Sequence, residues 1–124
     1  MKLIDSSGWI EFFTDGPLAR AYARYLTNPH DLITPTIVLY EVYKVIKRQQ
    51  SEERGVVAAA QLGKTRLIPL TEPIALTAAD VSLTYQIAMA DAIVYATSLV
   101  ESAKLVTSDS DLAVLPGVTY LKKP

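Results

Sequence analysis

The chain has 124 residues, half of them hydrophobic, with a formal net charge of −1, one histidine and no cysteine. This length suits a single domain, residues 1–124, with its own core, and the composition excludes disulfides, thiolate zinc sites, cysteine catalysis and a two-histidine, metal-free ribonuclease. The near-neutral charge argues against a protein that coats DNA, but not against an enzyme that meets phosphates through a bound metal ion.

Short apolar strands alternate with helices along the whole chain. The pattern predicts strands at 2–4, 32–33, 66–70, 105–107 and 118–121, and helices at 6–13, 18–26, 35–50, 52–62, 71–85 and 89–101. Thr34 is the expected N-cap of its helix, with Pro35 at the first helical position. The helix at 89–101 is apolar all round, which is typical of a buried helix. This alternation predicts an α/β fold with a mostly parallel sheet.

The sequence also predicts where the protein resides. The N-terminal segment MKLIDSS is interrupted by Asp5 and does not resemble a secretory leader. No uncharged apolar run approaches the roughly 20 residues that a membrane-spanning helix needs. We therefore expect a protein of the cytoplasm without a membrane segment.

Four acidic residues lie where the elements meet the carboxyl edge of the predicted sheet. Asp5 ends the first strand, Glu41 lies early in the helix after the second strand, and Asp91 opens the helix before the fourth strand. Asp109 follows that fourth strand. Ligands of parallel α/β sheets bind at this edge, and a site built from carboxylates alone suits Mg²⁺ or Mn²⁺ better than zinc. The spacing makes convergence of these four side chains possible.

Each of these residues also has an ordinary structural interpretation. Asp5 could cap a helix, Glu41 could be a solvated helix residue, and Asp109 could form a turn. Asp91 is different, because a carboxylate in the first turn of so apolar a helix is costly when it is buried without a partner. The shared position at one edge of the sheet favours a single metal site.

Four segments, in order, resemble the PIN-domain nucleases and, among them, the VapC-like toxins of type II toxin–antitoxin modules. They are MKLIDSSGWIEFF, TPTIVLYEVYKVIK, MADAIVYATSLV and KLVTSDSDL. The resemblance implies a single PIN-like domain with strand order 3-2-1-4-5 and the activity of an endoribonuclease that depends on Mg²⁺ or Mn²⁺.

The same resemblance assigns residues to the site. The family's acidic quartet is matched by Asp5, Glu41, Asp91 and Asp109. Supporting positions are matched by Ser6, Thr107 and Asp111, of which Asp111 is the least regular. By this resemblance Asp5, Asp91 and Asp109 hold the metal and Glu41 completes the site. A metal-activated water then cleaves an RNA phosphodiester, leaving a 3′-hydroxyl and a 5′-phosphate.

The resemblance also implies partners. A cognate antitoxin is expected to bind beside the first helices, and a homodimer is expected to form through the early helices. Lys44, Lys47 and Arg48 share part of the helix face of Glu41. They either guide RNA phosphate toward the metal or form an ordinary solvated face.

Three other functions are open at this point. The chain could be a housekeeping RNA-processing nuclease of the same family, or a catalytically silent binding module of the same fold. A receiver-like phospho-acceptor domain also gathers acids at the edge of a parallel sheet. It would need adjacent acids near the first strand and a lysine after the last, whereas Asp5 stands alone and Lys122 and Lys123 come only at the tail.

Overall fold

Five short parallel strands form one sheet in this computed structural model, which describes residues 1–124. The strands are β1 (Lys2–Ile4), β2 (Leu32–Pro35), β3 (Arg66–Ile68), β4 (Lys104–Thr107) and β5 (Thr119–Tyr120). Their order is β3-β2-β1-β4-β5, and every neighbouring pair is parallel. The predicted α/β class and strand order are confirmed.

Seven helices surround the sheet. They are α1 (Ser6–Phe13), α2 (Ala19–Leu26), α3 (Thr36–Gln49), α4 (Glu52–Leu62), α5 (Glu72–Tyr85), α6 (Met89–Val100) and α7 (Ser110–Ala113). Consecutive helices pack as the pairs α1–α2, α3–α4 and α5–α6. Local capping explains two of the starts, because Ser51 Oγ accepts from Arg54 N at 3.1 Å and Thr71 Oγ1 accepts from Ile74 N at 3.4 Å.

The predicted N-cap of α3 is wrong. Thr34 and Pro35 both belong to β2, where Pro35 is in register with Ile68 of β3, and the helix begins at Thr36. The hydroxyl of Thr34 is fully buried and lies 2.6 Å from Thr65 Oγ1. Because Thr65 Oγ1 donates to the carbonyl oxygen of Leu62, Thr34 donates to Thr65 and ties β2 to the end of α4.

The edge strands are shorter than the sequence predicts. β3 ends at Ile68, directly before Pro69, whose ring nitrogen has no hydrogen to donate to a ladder. β5 comprises only Thr119–Tyr120. Both lie at the edges of the sheet, where each has one neighbouring strand to pair with.

The core lies on the central strands and around the middle of α6. Leu3, Ile4, Leu105 and Val106 are at most 2% exposed. Helix α6 is buried on all sides from Val94 to Ser98, as its composition predicts, whereas Met89 at its start is 75% exposed. No helix is by itself long and apolar enough to cross a membrane. Only α5 and α6 taken together, as a pair bent by 118°, reach that length and composition.

Candidate functional site

The four predicted acidic residues lie at the carboxyl edge of the sheet. Asp5 directly follows β1, and Asp109 is the N-cap of α7 just after β4. Glu41 lies in the second turn of α3, and Asp91 lies in the first turn of α6. Their charges act on one another, since Asp5, Asp91 and Asp109 each raise the pKa of Glu41. The fold therefore gathers carboxylates that are up to 104 positions apart in the chain.

Three of the carboxylates form the tightest group. Oxygen atoms of Asp91, Asp109 and Asp111 all lie within 4.8 Å of one another. Asp109 Oδ1 also accepts a hydrogen bond from the backbone N–H of Asp111 at 2.9 Å, which fixes the first turn of α7. Asp5 and Glu41 are not members of this group. Asp111, the least regular match in the sequence, is therefore among the acids that lie closest together.

Asp5 is held in a socket of hydroxyl groups. Its side chain is buried, and Oδ2 accepts from Thr107 Oγ1 at 2.8 Å and from Ser7 Oγ at 3.0 Å. Each hydroxyl in turn accepts a backbone N–H, Thr107 from Asp109 at 2.9 Å and Ser7 from Ser108 at 3.0 Å. These N–H groups orient both hydroxyl hydrogens toward Asp5. The carboxylate makes no capping hydrogen bond to α1, so helix capping does not explain its position.

Burial and mutual repulsion raise the pKa values of the acids. For Asp5, burial raises the pKa most, the hydrogen bond from Thr107 lowers it, and the charge of Asp109 raises it further. Burial, followed by the charges of Asp109, Asp5 and Asp111, raises the pKa of Asp91 to about 6. Burial is also the main cause of the raised pKa of Glu41, which the nearby Ser6 hydroxyl partly offsets.

No positively charged side chain neutralises the acidic cluster. The five ion pairs of the structure involve other carboxylates, namely those of Asp31, Glu52, Glu101 and Glu11. A group of like charges without a counter-ion is self-repelling, and a divalent cation would relieve that repulsion. The donors are oxygen atoms only, and that set fits a hard cation and lacks the histidine and cysteine ligands typical of zinc.

The three basic residues beyond Glu41 are exposed on α3. Lys44 Nζ lies 3.3 Å from Tyr40 Oη and 5.4 Å from the centre of the Tyr40 ring. Lys47 Nζ lies 3.3 Å from Glu52 Oε1 and 5.5 Å from the centre of the Tyr43 ring. These contacts engage Lys47 with a carboxylate and leave Lys44 and Arg48 without one. A role of the three in binding RNA stays a prediction.

Sequence reasoning missed Ser7, Ser108 and Tyr22. Ser7 and Ser108 are adjacent in sequence to predicted site residues, Ser6, Thr107 and Asp109. Their positions just after two strands could have identified them as further site residues. Tyr22 gave no such signal, because its phenol oxygen contacts Ser108 Oγ, at 2.6 Å, across 86 positions of the chain. Only the folded chain brings these two groups together.

The sequence matches the family model of the PIN domain over residues 2–118. The chain belongs to the PIN-domain family. The structure of this PIN domain resembles a toxin–antitoxin complex from Klebsiella pneumoniae with a TM-score of 0.80 and 26% sequence identity, over 96% of both chains.

Two further solved structures share the fold at lower identity. Mycobacterium tuberculosis VapC20, described as a sarcin–ricin loop cleaving toxin, has a TM-score of 0.79 and 17% identity, over 95% of this chain and 97% of its own. VapBC from Salmonella typhimurium bound to DNA has a TM-score of 0.75 and 11% identity, over the full length of both chains. No curated protein sequence matches this PIN domain.

Proposed function

We propose that this PIN domain is a metal-dependent endoribonuclease and the toxin of a type II toxin–antitoxin pair. The observation that carries the proposal is the cluster of Asp91, Asp109 and Asp111 beside Asp5 and Glu41, in a chain of the PIN family. The structural neighbours that are toxins or toxin–antitoxin complexes support the toxin role. The sarcin–ricin loop cleaved by VapC20 supports RNA as the substrate.

The oxygen-only donor set favours Mg²⁺ or Mn²⁺ as the ion. In the proposed site Asp5, Asp91 and Asp109 hold the cation, directly or through water. Asp111 is a further candidate ligand, because its carboxylate lies within 4.8 Å of those of Asp91 and Asp109. Thr107 and Ser7 keep Oδ2 of Asp5 engaged and so fix the direction of its second oxygen.

Each residue has one task in the proposed reaction. A divalent ion held by these carboxylates would lower the pKa of a water molecule and offset negative charge on the phosphate. Glu41 accepts a hydrogen bond from the attacking water and so aligns it with the phosphorus atom. Asp91 and Asp109 must be ionised to hold the cation. The bond from the water oxygen to phosphorus forms as the bond to the 3′-oxygen breaks on the opposite side. The water releases a proton to solvent, and the leaving 3′-oxygen takes up a proton from solvent. The products are an RNA 3′-hydroxyl and a 5′-phosphate.

Cleavage assays test this function. Structured and unstructured RNAs are incubated with the protein in Mg²⁺, in Mn²⁺ and in EDTA, and the parent is compared with Asp91→Asn and Asp5→Asn. We expect cleavage by the parent with either metal, none in EDTA, and none by either variant, although both variants stay folded by circular dichroism. Cleavage by either variant at the rate of the parent contradicts the assignment.

The basic face of α3 is proposed to contact RNA phosphate. Replacing Lys44, Lys47 and Arg48 together by Ala is expected to weaken RNA binding and to flatten its dependence on salt, because fewer counter-ions are released. Replacing Lys64, Lys104 and Lys122 by Ala removes three exposed charges that form no ion pair elsewhere on the surface, and it serves as the control. Equal effects of the two sets would mean that the α3 face is an ordinary solvated surface.

The antitoxin is proposed to bind the cleft beside the end of α1. This cleft has a volume of about 460 Å³ and is lined by residues that include Phe13, Ile46, Arg54 and Val57. Val57→Glu is expected to prevent co-purification with the product of a neighbouring antitoxin gene. Val56→Glu is the matched control, because Val56 is equally exposed, at 54% against 52% for Val57, but does not line the cleft.

A homodimer remains part of the proposal. The sequence predicts an interface through the early helices, but several strongly exposed apolar side chains lie on α5 and α6. They include Leu76, Leu83 and Met89, which are 63%, 81% and 75% exposed. Sedimentation of Leu83→Lys against a variant of α2, such as Ala23→Lys, would show which helices hold the two copies together.

A further inference from the structure

Tyr22 is a fully buried phenol that reaches the turn after β4. Its side chain on α2 has no exposed surface, and its oxygen lies 2.6 Å from Ser108 Oγ. The ring packs directly against Gly8 of α1, where a Cβ atom would overlap Cε1 of Tyr22. Gly8 therefore provides the space that lets the ring lie deep between the two helices. Packing of the ring therefore fixes the position of the phenol oxygen independently of its hydrogen bond.

Ser108 is the residue through which this contact acts. It lies between Thr107, which donates to Asp5, and Asp109, which belongs to the three-carboxylate group. Its backbone N–H donates to Ser7 Oγ at 3.0 Å, and its side chain meets Tyr22. Ser108, the residue before Asp109, is thus held through its backbone from α1 and through its side chain from α2.

The phenol stays protonated over the whole physiological range. Burial raises the pKa of Tyr22 to about 12, and the charges of Asp5 and Glu11 act in the same direction. The neutral phenol and the Ser108 hydroxyl share one hydrogen bond, in which either oxygen can be the donor. A buried phenol without such a partner would cost stability, so the pair is mutually dependent.

We propose that Tyr22 is a positioning residue, which through Ser108 sets the turn that brings Asp109 and Asp111 to Asp91. The inference rests on the proposed function, in which these carboxylates bind a divalent cation. It adds a residue on a helix that carries none of the acids. Without the phenol oxygen, Ser108 keeps only its backbone hydrogen bond to Ser7. The turn after β4 can then move relative to Asp91.

A purely structural tyrosine makes a different prediction. If the ring only fills space, Tyr22→Phe keeps the packing on Gly8 and leaves cation binding as it was, whatever it does to thermal stability. A positioning role requires that the affinity for the cation falls and that the conformation of the turn at Ser108 and Asp109 changes in the same variant. Ser108→Ala removes the same hydrogen bond from its other end and must give the same result.

The test measures Mn²⁺ binding by calorimetry in the full chain. The variants are Tyr22→Phe, Ser108→Ala, their double, Asp91→Asn, and Tyr25→Phe as the control, because Tyr25 is the neighbouring tyrosine on α2 with its ring centre 6.4 Å away. A typical net hydrogen bond corresponds to a change in affinity of roughly fivefold. We expect Tyr22→Phe and Ser108→Ala each to lower the affinity for Mn²⁺ at least threefold. The double variant should bind Mn²⁺ no more weakly than either single variant, because both substitutions remove the same hydrogen bond. Tyr25→Phe should bind Mn²⁺ as the parent does.

A second readout needs no metal. In ¹⁵N-labelled, metal-free protein, the amide signals of Ser108 and Asp109 are expected to shift in Tyr22→Phe and to stay in place in Tyr25→Phe. A change in affinity of less than threefold in Tyr22→Phe, while Asp91→Asn abolishes binding, overturns the positioning role alone. Additive losses in the double variant overturn it too. A parent protein that binds no Mn²⁺ overturns the metal site and the positioning role together.

Discussion

Thr107 and Asp5, 102 positions apart in the chain, share a hydrogen bond of 2.8 Å at the end of two neighbouring strands. Asp5 directly follows β1, Thr107 is the last residue of β4, and the two strands pair in parallel register. Thr107 Oγ1 also accepts the backbone N–H of Asp109 at 2.9 Å. One hydroxyl therefore joins two of the proposed metal ligands, and the packing of the central strands sets their separation.

Replacing Thr107 by Val tests this junction. Val has the shape of Thr but leaves Oδ2 of Asp5 without one donor and the N–H of Asp109 without its acceptor. Because the site is fully buried, we expect a loss of about 1–3 kcal/mol in the free energy of unfolding, measured in urea. Thr107→Ser keeps the hydroxyl and serves as the control. A Val variant as stable as the parent would mean that the hydroxyl contributes nothing to the fold.

The sequence predicts the sheet better than it predicts the supports of the site. The resemblance to PIN-domain nucleases implies the strand order and the acidic quartet, and it is carried by motifs that each lie within one segment, such as KLVTSDSDL. The role of Thr34 does not, because Thr-Pro is a good helix start locally and only the long-range contact with Thr65 shows that it belongs to β2. Tyr22 is missed for the same reason, since its partner is 86 residues away. Local patterns cannot report pairings that tertiary packing creates.

Asp91→Asn is expected to stabilise the metal-free protein at neutral pH. The pKa of Asp91 is raised from 3.8 to about 6 by burial and by the neighbouring acids. Between these pH values the folded state holds a proton that the unfolded state releases. The favourable contribution of Asp91 to the free energy of unfolding is therefore complete below about pH 3.8 and is lost as the pH rises through 6. Asn carries no charge and escapes this loss.

The measurement is urea unfolding in EDTA at pH 4.5, 6.0 and 7.5. We expect the free energy of unfolding of the variant to rise relative to that of the parent as the pH rises. The difference should reach about 1 kcal/mol at pH 7.5, a value that is small because Asp91 is partly exposed to solvent. Asp80→Asn, on the exposed side of α5, is the control and should follow the parent. A difference between Asp91→Asn and the parent that does not change with pH would contradict the raised pKa.

Cation affinity should depend on the same proton. A carboxylate must lose its proton to bind metal, so protons and Mn²⁺ compete for Asp91. Below about pH 6 the dissociation constant for Mn²⁺ is expected to increase by up to about tenfold per pH unit for one competing proton. Calorimetry at pH 5.0, 6.0 and 7.5 measures it, with circular dichroism to show that the chain stays folded. Equal affinity at all three pH values would remove Asp91 from the ligand set.

Glu11 is a buried acid outside the site that depends on the C-terminal tail. Its side chain is 5% exposed, and Oε2 lies 3.3 Å from Lys123 Nζ. Oε1 accepts the backbone N–H of Leu18 at 2.9 Å, and Gly16 leaves space for the carboxylate. Loss of Lys123 would leave a buried charge without its cation, which costs more than the loss of a surface ion pair.

Lys123→Met is therefore expected to lower the free energy of unfolding by about 1 kcal/mol, a value limited by the exposure of the lysine. Lys122→Met removes an adjacent exposed lysine that forms no ion pair, and it should leave stability unchanged. Adding Glu11→Gln to Lys123→Met should restore most of the loss, because the neutral amide still accepts from Leu18 and needs no cation. If the two lysine variants unfold at the same urea concentration, the ion pair does not stabilise the fold. Recovery by Glu11→Gln would instead show that the tail lysine acts by compensating one buried charge at the junction of α1 and α2.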